Sequence, residues 1–440
     1  MQNNKPEKSV IIVGGGWAGL TCATELVRLG YKITLLESAR QLGGRARRIA
    51  FDDQSVDNGQ HIFIGAYRET FSLLKSLNIS LTNTLDRRPL NLLFQYCGGK
   101  KFNLRLPALI TPLNLFVGLL SAKGFSMKDK MRALVFGLKL FSNSLFQEND
   151  ISVSELLNKE RQTENNIKAL WEPLCLASLN TPIDEASARV FVRVLHDTFC
   201  RSQKDADMII PKVDLGILLP DPASDFIEQH GGTIHLSKRV TSININQRHI
   251  TDVSCDNETF KADHVVLALP PHACLPLIKD HPALHDIAYN LNSFSYNPIV
   301  TAYVKYPASV RPNQPIQAML GTTSQWVISR DVAGQPGLIA VVISGPGPHM
   351  QLDNEQLEVT IKSELANCFP HWPQADSIKI IREKRATYSC RVGIDLLRPD
   401  NKTRINGLWL AGDYTKTFYP ATIESAVLSG KHTAEQINLT

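Results

Sequence analysis

A chain of 440 residues with 43% hydrophobic and 20% charged residues has the composition of a folded protein with a sizeable core, long enough for two or three domains or one interleaved pair. The net charge of +5 is modest, and Lys and Arg are scattered without a basic block interleaved with aromatics, which argues against nucleic acid as a partner. Cys22, Cys97, Cys175, Cys200, Cys255, Cys274, Cys368 and Cys390 form no C-x-x-C pair and have no His at metal-ligand spacing, so the sequence predicts no metal and eight small hydrophobes in a reducing cytosol.

Met1–Lys8 is polar and short, with no signal peptide. A strand, Val10–Val13, then enters Gly14-Gly15-Gly16-Trp17-Ala18-Gly19; a helical run leaves the glycines, and a second strand from Lys32 ends in Glu37. This βαβ unit presents the positive end of a helix, opening at Trp17 and Ala18, to a pyrophosphate. Gly14 permits the tight turn, Gly16 lets phosphate oxygens approach the backbone, and Gly19 lets helix and strand pack closely. Glu37, 18 residues past Gly19, is placed to accept hydrogen bonds from a ribose, with Ser38 beside it. A Glu here fits NAD or FAD.

Leu42-Gly43-Gly44-Arg45 follows, and Arg45 would set a guanidinium on the pyrophosphate charge. In Asp57-Asn58-Gly59-Gln60-His61, Gly59 and Gln60 are candidate cofactor contacts, and His61 and Asp57 are candidate proton donors. Residues 81–210 read as mostly helical. Within them Leu106–Ala122 is uncharged but broken by Pro107 and Pro112, and Met131–Phe146 is a second apolar run; Lys100, Lys101, Arg105, Lys123, Lys128 and Lys130 flank them. Two readings stand for this stretch near 104–146: helices of a substrate domain, or a monotopic, lipid-admitting patch on an anionic bilayer. No segment reaches the roughly 18 clean apolar residues of a transmembrane helix.

Residues 211–280 return to the dinucleotide pattern, with a helix over Ala223–His230 and strands at Thr233–Leu236, Val240–Ile245 and His264–Pro270. Val265–Leu269 reads as a buried parallel strand, and Val240 is a candidate cofactor contact. In residues 281–384, Ile299–Tyr306 and Leu338–Ser344 suggest a sheet flooring a second domain. Near the C-terminus Leu408–Ala411 runs into Gly412-Asp413, and Pro420–Gln436 reads as a helix whose first turn, at Thr422 and Ile423, would aim amides at negative charge. The fold class is α/β: a Rossmann-like dinucleotide-binding domain from 1–80, 211–280 and 385–440, interleaved with an α+β substrate domain from 81–210 and 281–384. No nucleophile elbow, zinc motif or Walker loop is present.

Gly14–Gly19, Glu37, Gly43-Gly44-Arg45, Asp57–Gly59 and Gly412-Asp413 together resemble the FAD-dependent amine oxidase and phytoene desaturase superfamily of GR2-type flavoproteins. Further strings cover both domains: Arg40–Arg47, Gly65–Thr70, Trp171–Cys175, Leu179–Pro182, Gln325–Val327 and Tyr419–Ala426. These resemble one branch, the hydroxysqualene dehydroxylase family of bacterial hopanoid pathways. The resemblance implies FAD as cofactor, with Asp413 accepting a hydrogen bond from the ribityl chain and the helix after it facing the flavin's pyrimidine edge. It also implies reductive removal of the hydroxyl of hydroxysqualene, a hydrophobic polyprenoid, to give squalene and water. A functional association with squalene-pathway synthases follows, as does a cytoplasmic enzyme peripheral at the inner face of the cytoplasmic membrane. Gly14-Gly15-Gly16 departs conservatively from the commoner Gly-Ala-Gly. Rival readings are a carotenoid-type desaturase, an amine oxidase with an aromatic cage drawn from Tyr414, Phe418 and Tyr419, and a flavin-free prenyl-binding module like the Rab GDP-dissociation inhibitors. The intact glycine turn with Glu37, Arg45 and Asp413 argues against the last.

Overall fold

Two sheets organise the chain, and each is assembled from distant segments. The computed structural model describes residues 8–146, 149–256 and 258–440, so most of the polar stretch Met1–Lys8 lies outside the described residues. In chain order the elements that shape the site begin with β1 (Ser9–Val13), α1 (Trp17–Arg28) and β2 (Lys32–Leu36). Next come β3 (Asn91–Tyr96), β4 (Lys101–Arg105), α2 (Leu113–Ser121), α3 (Met127–Phe141) and α4 (Ala188–Phe199). They are followed by β5 (Thr233–His235), β6 (His264–Leu267), β7 (Tyr296–Lys305), β8 (Ile316–Leu320), β9 (Trp326–Ser329) and β10 (Leu338–Ser344). The chain closes with β11 (Ser377–Tyr388), β12 (Leu408–Leu410) and α5 (Ile423–Asn438).

The first sheet is parallel, in the order β5-β2-β1-β6-β12. β1 and β6 are continuous apolar runs because both of their faces are covered. Val10 and Ile12 pack toward α1 and α5, while Ile11 and Val13 join the larger core. Each such side chain, at most 2% exposed, contributes about 1.5–3 kcal/mol on burial. The strands of this sheet come from the three stretches read as dinucleotide-binding. The strand expected near Val240 does not join it: Ser242–Asn246 pairs instead with His249–Cys255 in a separate antiparallel sheet.

The second sheet has seven strands, β11-β7-β10-β9-β8-β3-β4, antiparallel except where β8 meets β3. Residues 81–210, read as mostly helical, hold the helices α2, α3 and α4, but their early part forms strands that the reading did not include. Leu92 and Phe94 on β3, then Phe102 and Leu104 on β4, are buried at every second position across a Gly98-Gly99 turn, which is a strand period. On β7, Val300, Ala302 and Val304 face a layer covered by the helix Asn354–Cys368. The alternate residues Ile299 and Thr301 face the interior cavity.

The cysteine expectation is also corrected. Cys97 and Cys368 are joined in a disulfide across 271 residues, a pairing that no local spacing reveals. Cys22, Cys175, Cys255, Cys274 and Cys390 are free and buried, and Cys200 is half-buried.

Helix α3 starts at a capping box, Ser126 with Asp129, and α2 is closed by Lys130 Nζ donating to Leu120 O at 2.8 Å. Between them these helices bury Leu115, Leu119, Ala133, Phe136 and Leu140. Their outer face is also apolar: Leu113, Val117 and Leu120 on α2, and Met131, Val135 and Leu138 on α3, are exposed, with Ile110 75% and Met127 65% exposed nearby. Among the described residues no helix is long and apolar enough to cross a membrane.

Candidate active site

The glycine turn is held by backbone and by one carboxylate. Gly14 adopts φ +108°, a conformation that side-chain-bearing residues rarely adopt, and donates its N–H to Leu36 O at 2.8 Å. Glu37 accepts from Gly15 N at 2.7 Å through Oε2 and from Ala39 N at 2.7 Å through Oε1, so it fixes the turn as well as facing the cavity. A Cβ at Gly19 would collide with Gly14 O, whereas one at Gly16 would meet nothing within 4 Å. Gly16 therefore opens onto empty space beside the positive end of α1.

The second glycine pair lies against the first, with Gly43 N donating to Gly15 O at 2.8 Å. It delivers Arg45 to Asp413, Nη2 to Oδ2 at 2.7 Å, with Nη1 donating to Ala386 O at 2.9 Å. Asp413 is held from behind, its carbonyl accepting from Arg398 Nη2 and Ser425 Oγ, both at 3.0 Å. Helix α5 begins at Ile423, later than the sequence suggested, because Thr422 caps it by accepting from Ser425 N at 3.2 Å.

One cavity of about 1190 Å³ gathers these groups. Gly14, Gly16, Trp17, Ala18, Glu37, Ser38, Gly44, Arg45, Gly59, Gln60, His61, Val240, Gly412, Asp413, Thr422 and Ile423 all line it. Gly19 and Asp57 do not. Gly19 is spent on the contact between α1 and the turn. Asp57 lies behind the wall, fully buried, accepting from Leu215 N at 2.7 Å and 3.6 Å from Arg330 Nη1. Burial holds its carboxyl up to about 6 despite that guanidinium. Arg330 in turn donates to Gln60 Oε1 at 2.9 Å, so Asp57 positions the Gln60 loop from outside. His61 is on the wall, but its Nδ1 is engaged with Gly59 O at 2.6 Å, and burial depresses its pKa to about 4. The imidazole is neutral at pH 7, which does not suit a proton donor.

The volume exceeds the roughly 300–1,000 Å³ of a pocket for one small molecule, so there is room for a cofactor and a second ligand. The wall from the parallel sheet is polar and rich in backbone N–H. The inner strands of the seven-stranded sheet and their flanks give an apolar stretch of wall, with Leu90, Leu92, Ile316, Trp326 and Ile328, while its edge strand β11 brings Arg382, Glu383, Lys384 and Arg385 to the same cavity. Trp17 and Thr301 line this cavity, and their Nε1 and Oγ1 atoms are buried without a hydrogen-bond partner. The open side of Gly16 and two helix N-termini fit an anionic dinucleotide. Sequence reading missed Thr301, whose signal is a lone hydroxyl inside an apolar strand. It also left Tyr419 without a place and overlooked Asp197, both of which line the cavity. Of the three candidate cage aromatics only Tyr419 does so; Tyr414 is buried away from it and Phe418 is exposed.

The chain is similar over most of its length to known proteins. Hydroxysqualene dehydroxylase of Zymomonas mobilis is 26% identical, covering 96% of this chain and 97% of its own. Zeta-carotene desaturase of Zea mays is 24% identical, covering 98% of this chain and 84% of its own. The crystal structure of an oxidoreductase from Methanosarcina mazei superposes with a TM-score of 0.78 at 17% identity, over 97% of this chain and all of that one. Residues 17–438 match the family described as flavin containing amine oxidoreductase.

Proposed function

The chain belongs to the flavin containing amine oxidoreductase family, and from that membership we propose that it removes the hydroxyl of hydroxysqualene reductively, giving squalene and water. It is an oxidoreductase whose cofactor is FAD. In this reading Glu37 and Ser38 face the adenosine ribose near Val240. The Gly14–Gly19 turn, Trp17, Ala18, Gly44 and Arg45 take the pyrophosphate. Asp413 accepts from the ribityl chain beside Gly412, the Thr422 and Ile423 amides face the pyrimidine edge, and Gly59 and Gln60 close on the ring system.

FAD supplies a two-electron hydride carrier that can be loaded and discharged. The protein's own groups bind the hydrocarbon, orient its carbon–oxygen bond and keep water out. The balance is one proton and one hydride consumed per alcohol, with water leaving. Apolar walls suit that task, because each buried methylene of the substrate is worth about 0.8 kcal/mol.

The observation that carries the substrate class is the apolar stretch of wall formed by Leu90, Leu92, Ile316, Trp326 and Ile328 in the same cavity as the glycine turn. The names of the two relatives point the same way. A carotenoid-type desaturation is the second reading, favoured by the zeta-carotene desaturase likeness over nearly the whole chain. We place the enzyme peripherally on an anionic bilayer, where the apolar outer face of α2 and α3 meets lipid tails and Lys123, Lys128 and Arg105 meet headgroups.

Purified FAD-loaded protein given hydroxysqualene and a reductant should yield a product lighter by one oxygen, read by mass spectrometry. Conversion of phytoene or ζ-carotene with an oxidant, and none of hydroxysqualene, would favour the second reading.

A further inference from the structure

We propose that Tyr419 and Asp197 form a hydroxyl-recognition pair in the cavity wall, through which the site tells an allylic alcohol from the hydrocarbon of the same skeleton. The inference rests on the dehydroxylase reading and names the side chains that would serve it.

Asp197 lies on α4, 4% exposed, among cavity-lining neighbours that are mostly apolar: Val194, Leu195 and Phe199. Tyr419 comes from the segment between Asp413 and α5, the stretch assigned above to the flavin. Tyr419 Oη donates a short hydrogen bond to Asp197 Oδ2. The other carboxylate oxygen accepts from Arg201 Nη2 at 2.9 Å and contacts His196 Nδ1 at 3.1 Å, so the anion is partnered on its far side. Tyr419 is fixed as well, since its carbonyl accepts from Tyr388 Oη at 3.0 Å.

The consequence follows from hydrogen-bond inventory. A phenol has one proton, and this one is committed to the carboxylate. What Tyr419 can offer a ligand is therefore its oxygen lone pairs, made more basic by the neighbouring anion. That acceptor, set in an apolar wall, matches a ligand O–H and nothing on a hydrocarbon. A hydrocarbon bound there would leave the phenol oxygen desolvated and unpaired, and buried groups left unpaired are what make polar sites selective. The backbone supplies an independent sign. Phe418 holds the left-handed conformation at φ +63°, rare for a bulky side chain, and leaves its ring 52% exposed while the next residue meets Asp197.

The test compares affinities for hydroxysqualene and squalene in FAD-loaded protein, read from the perturbation of flavin absorbance, in wild type, Tyr419→Phe and Asp197→Asn. Wild type should prefer the alcohol. Tyr419→Phe should lose about 10- to 100-fold in alcohol affinity while squalene affinity stays within about twofold. Asp197→Asn, which keeps an acceptor for the phenol proton but removes the charge, should lose about three- to tenfold for the alcohol alone. Should Tyr419→Phe fail to fold, the Asp197→Asn result decides. An alcohol preference unchanged in the variants, or equal loss for both ligands, overturns the proposal even if wild type makes squalene. A wild type without alcohol preference overturns it too, and if that protein also makes no squalene the dehydroxylase reading falls separately.

Discussion

The parallel sheet and the seven-stranded sheet face each other across one cavity but build their walls from different material. On the parallel side the wall is backbone: glycine turns, helix N-termini, and a Glu37 carboxylate that clamps two amides. On the other side it is side chains standing on strands, in which Ile299 and Thr301 look inward while Val300 and Ala302 look away. A backbone wall recognises by shape and tolerates no added atom where the chain approaches itself. A side-chain wall recognises by polarity and can be retuned one residue at a time.

The sharpest break of this comparison is a pair of substitutions in one turn. Gly19→Val should leave no folded protein, because its side chain would collide with Gly14 O. Gly16→Val points into open cavity, so it should keep the melting temperature of the FAD-free wild type and fail to bind FAD. A Gly16→Val protein that remains yellow would remove the pyrophosphate from this turn.

Next in size is the brace behind the cavity. Asp57→Ala leaves Leu215 N and Arg330, 2% exposed, without their acceptor and should cost about 3–5 kcal/mol, seen as a lower denaturation midpoint in urea. A cost below about 1 kcal/mol would mean that Asp57 serves no structural purpose there.

The outer face of α2 and α3 should respond to polarity alone. Replacing Ile110, Leu113 and Leu138 by Ser should reduce co-sedimentation with anionic vesicles at least about tenfold, with thermal stability unchanged. Retained vesicle binding would move the membrane contact elsewhere.

The smallest effect is in pH. The folded pKa of His61, about 4, lies below the free value of 6.5, so its contribution to stability is present above about pH 6.5 and is lost as pH falls toward 4. Asp57, held up at about 6 from 3.8, has the opposite sign: its contribution is full at low pH and is lost as pH rises through 6. His61→Gln removes the first term only. The variant should gain stability relative to wild type at about pH 5.8 compared with about pH 7.5, by about 1 kcal/mol in urea melts. An equal gap between the two proteins at both pH values would contradict the buried, neutral imidazole.

The two walls also differed in how far they could be read from sequence. The cofactor wall was legible because its determinants are local: a glycine turn, a carboxylate 18 residues on, a Gly-Asp at a strand end. The substrate wall was legible only in part. β7 and β10 announced themselves as apolar runs, but β3 and β4 were hidden in a stretch whose later residues are helical, and they join the sheet only through a parallel pairing of β3 with β8 across more than two hundred residues. Asp57 lies within a recognisable string, yet its side chain turns away from the cavity because Leu215 N and Arg330 hold it. Asp197 had no motif at all, since its meaning depends on Tyr419, 222 residues away.

The order of strands in the parallel sheet has a consequence for synthesis. β1 and β2 are made first, yet their neighbour β6 follows some 230 residues later and the closing strand β12 almost 400 residues after β1. A ribosome-bound chain therefore carries half a cradle until β12 has emerged, and Asp413 and α5 complete it after that. Loading of the coenzyme thus waits for β12 and Asp413, and stops placed before them should release colourless, chaperone-dependent fragments.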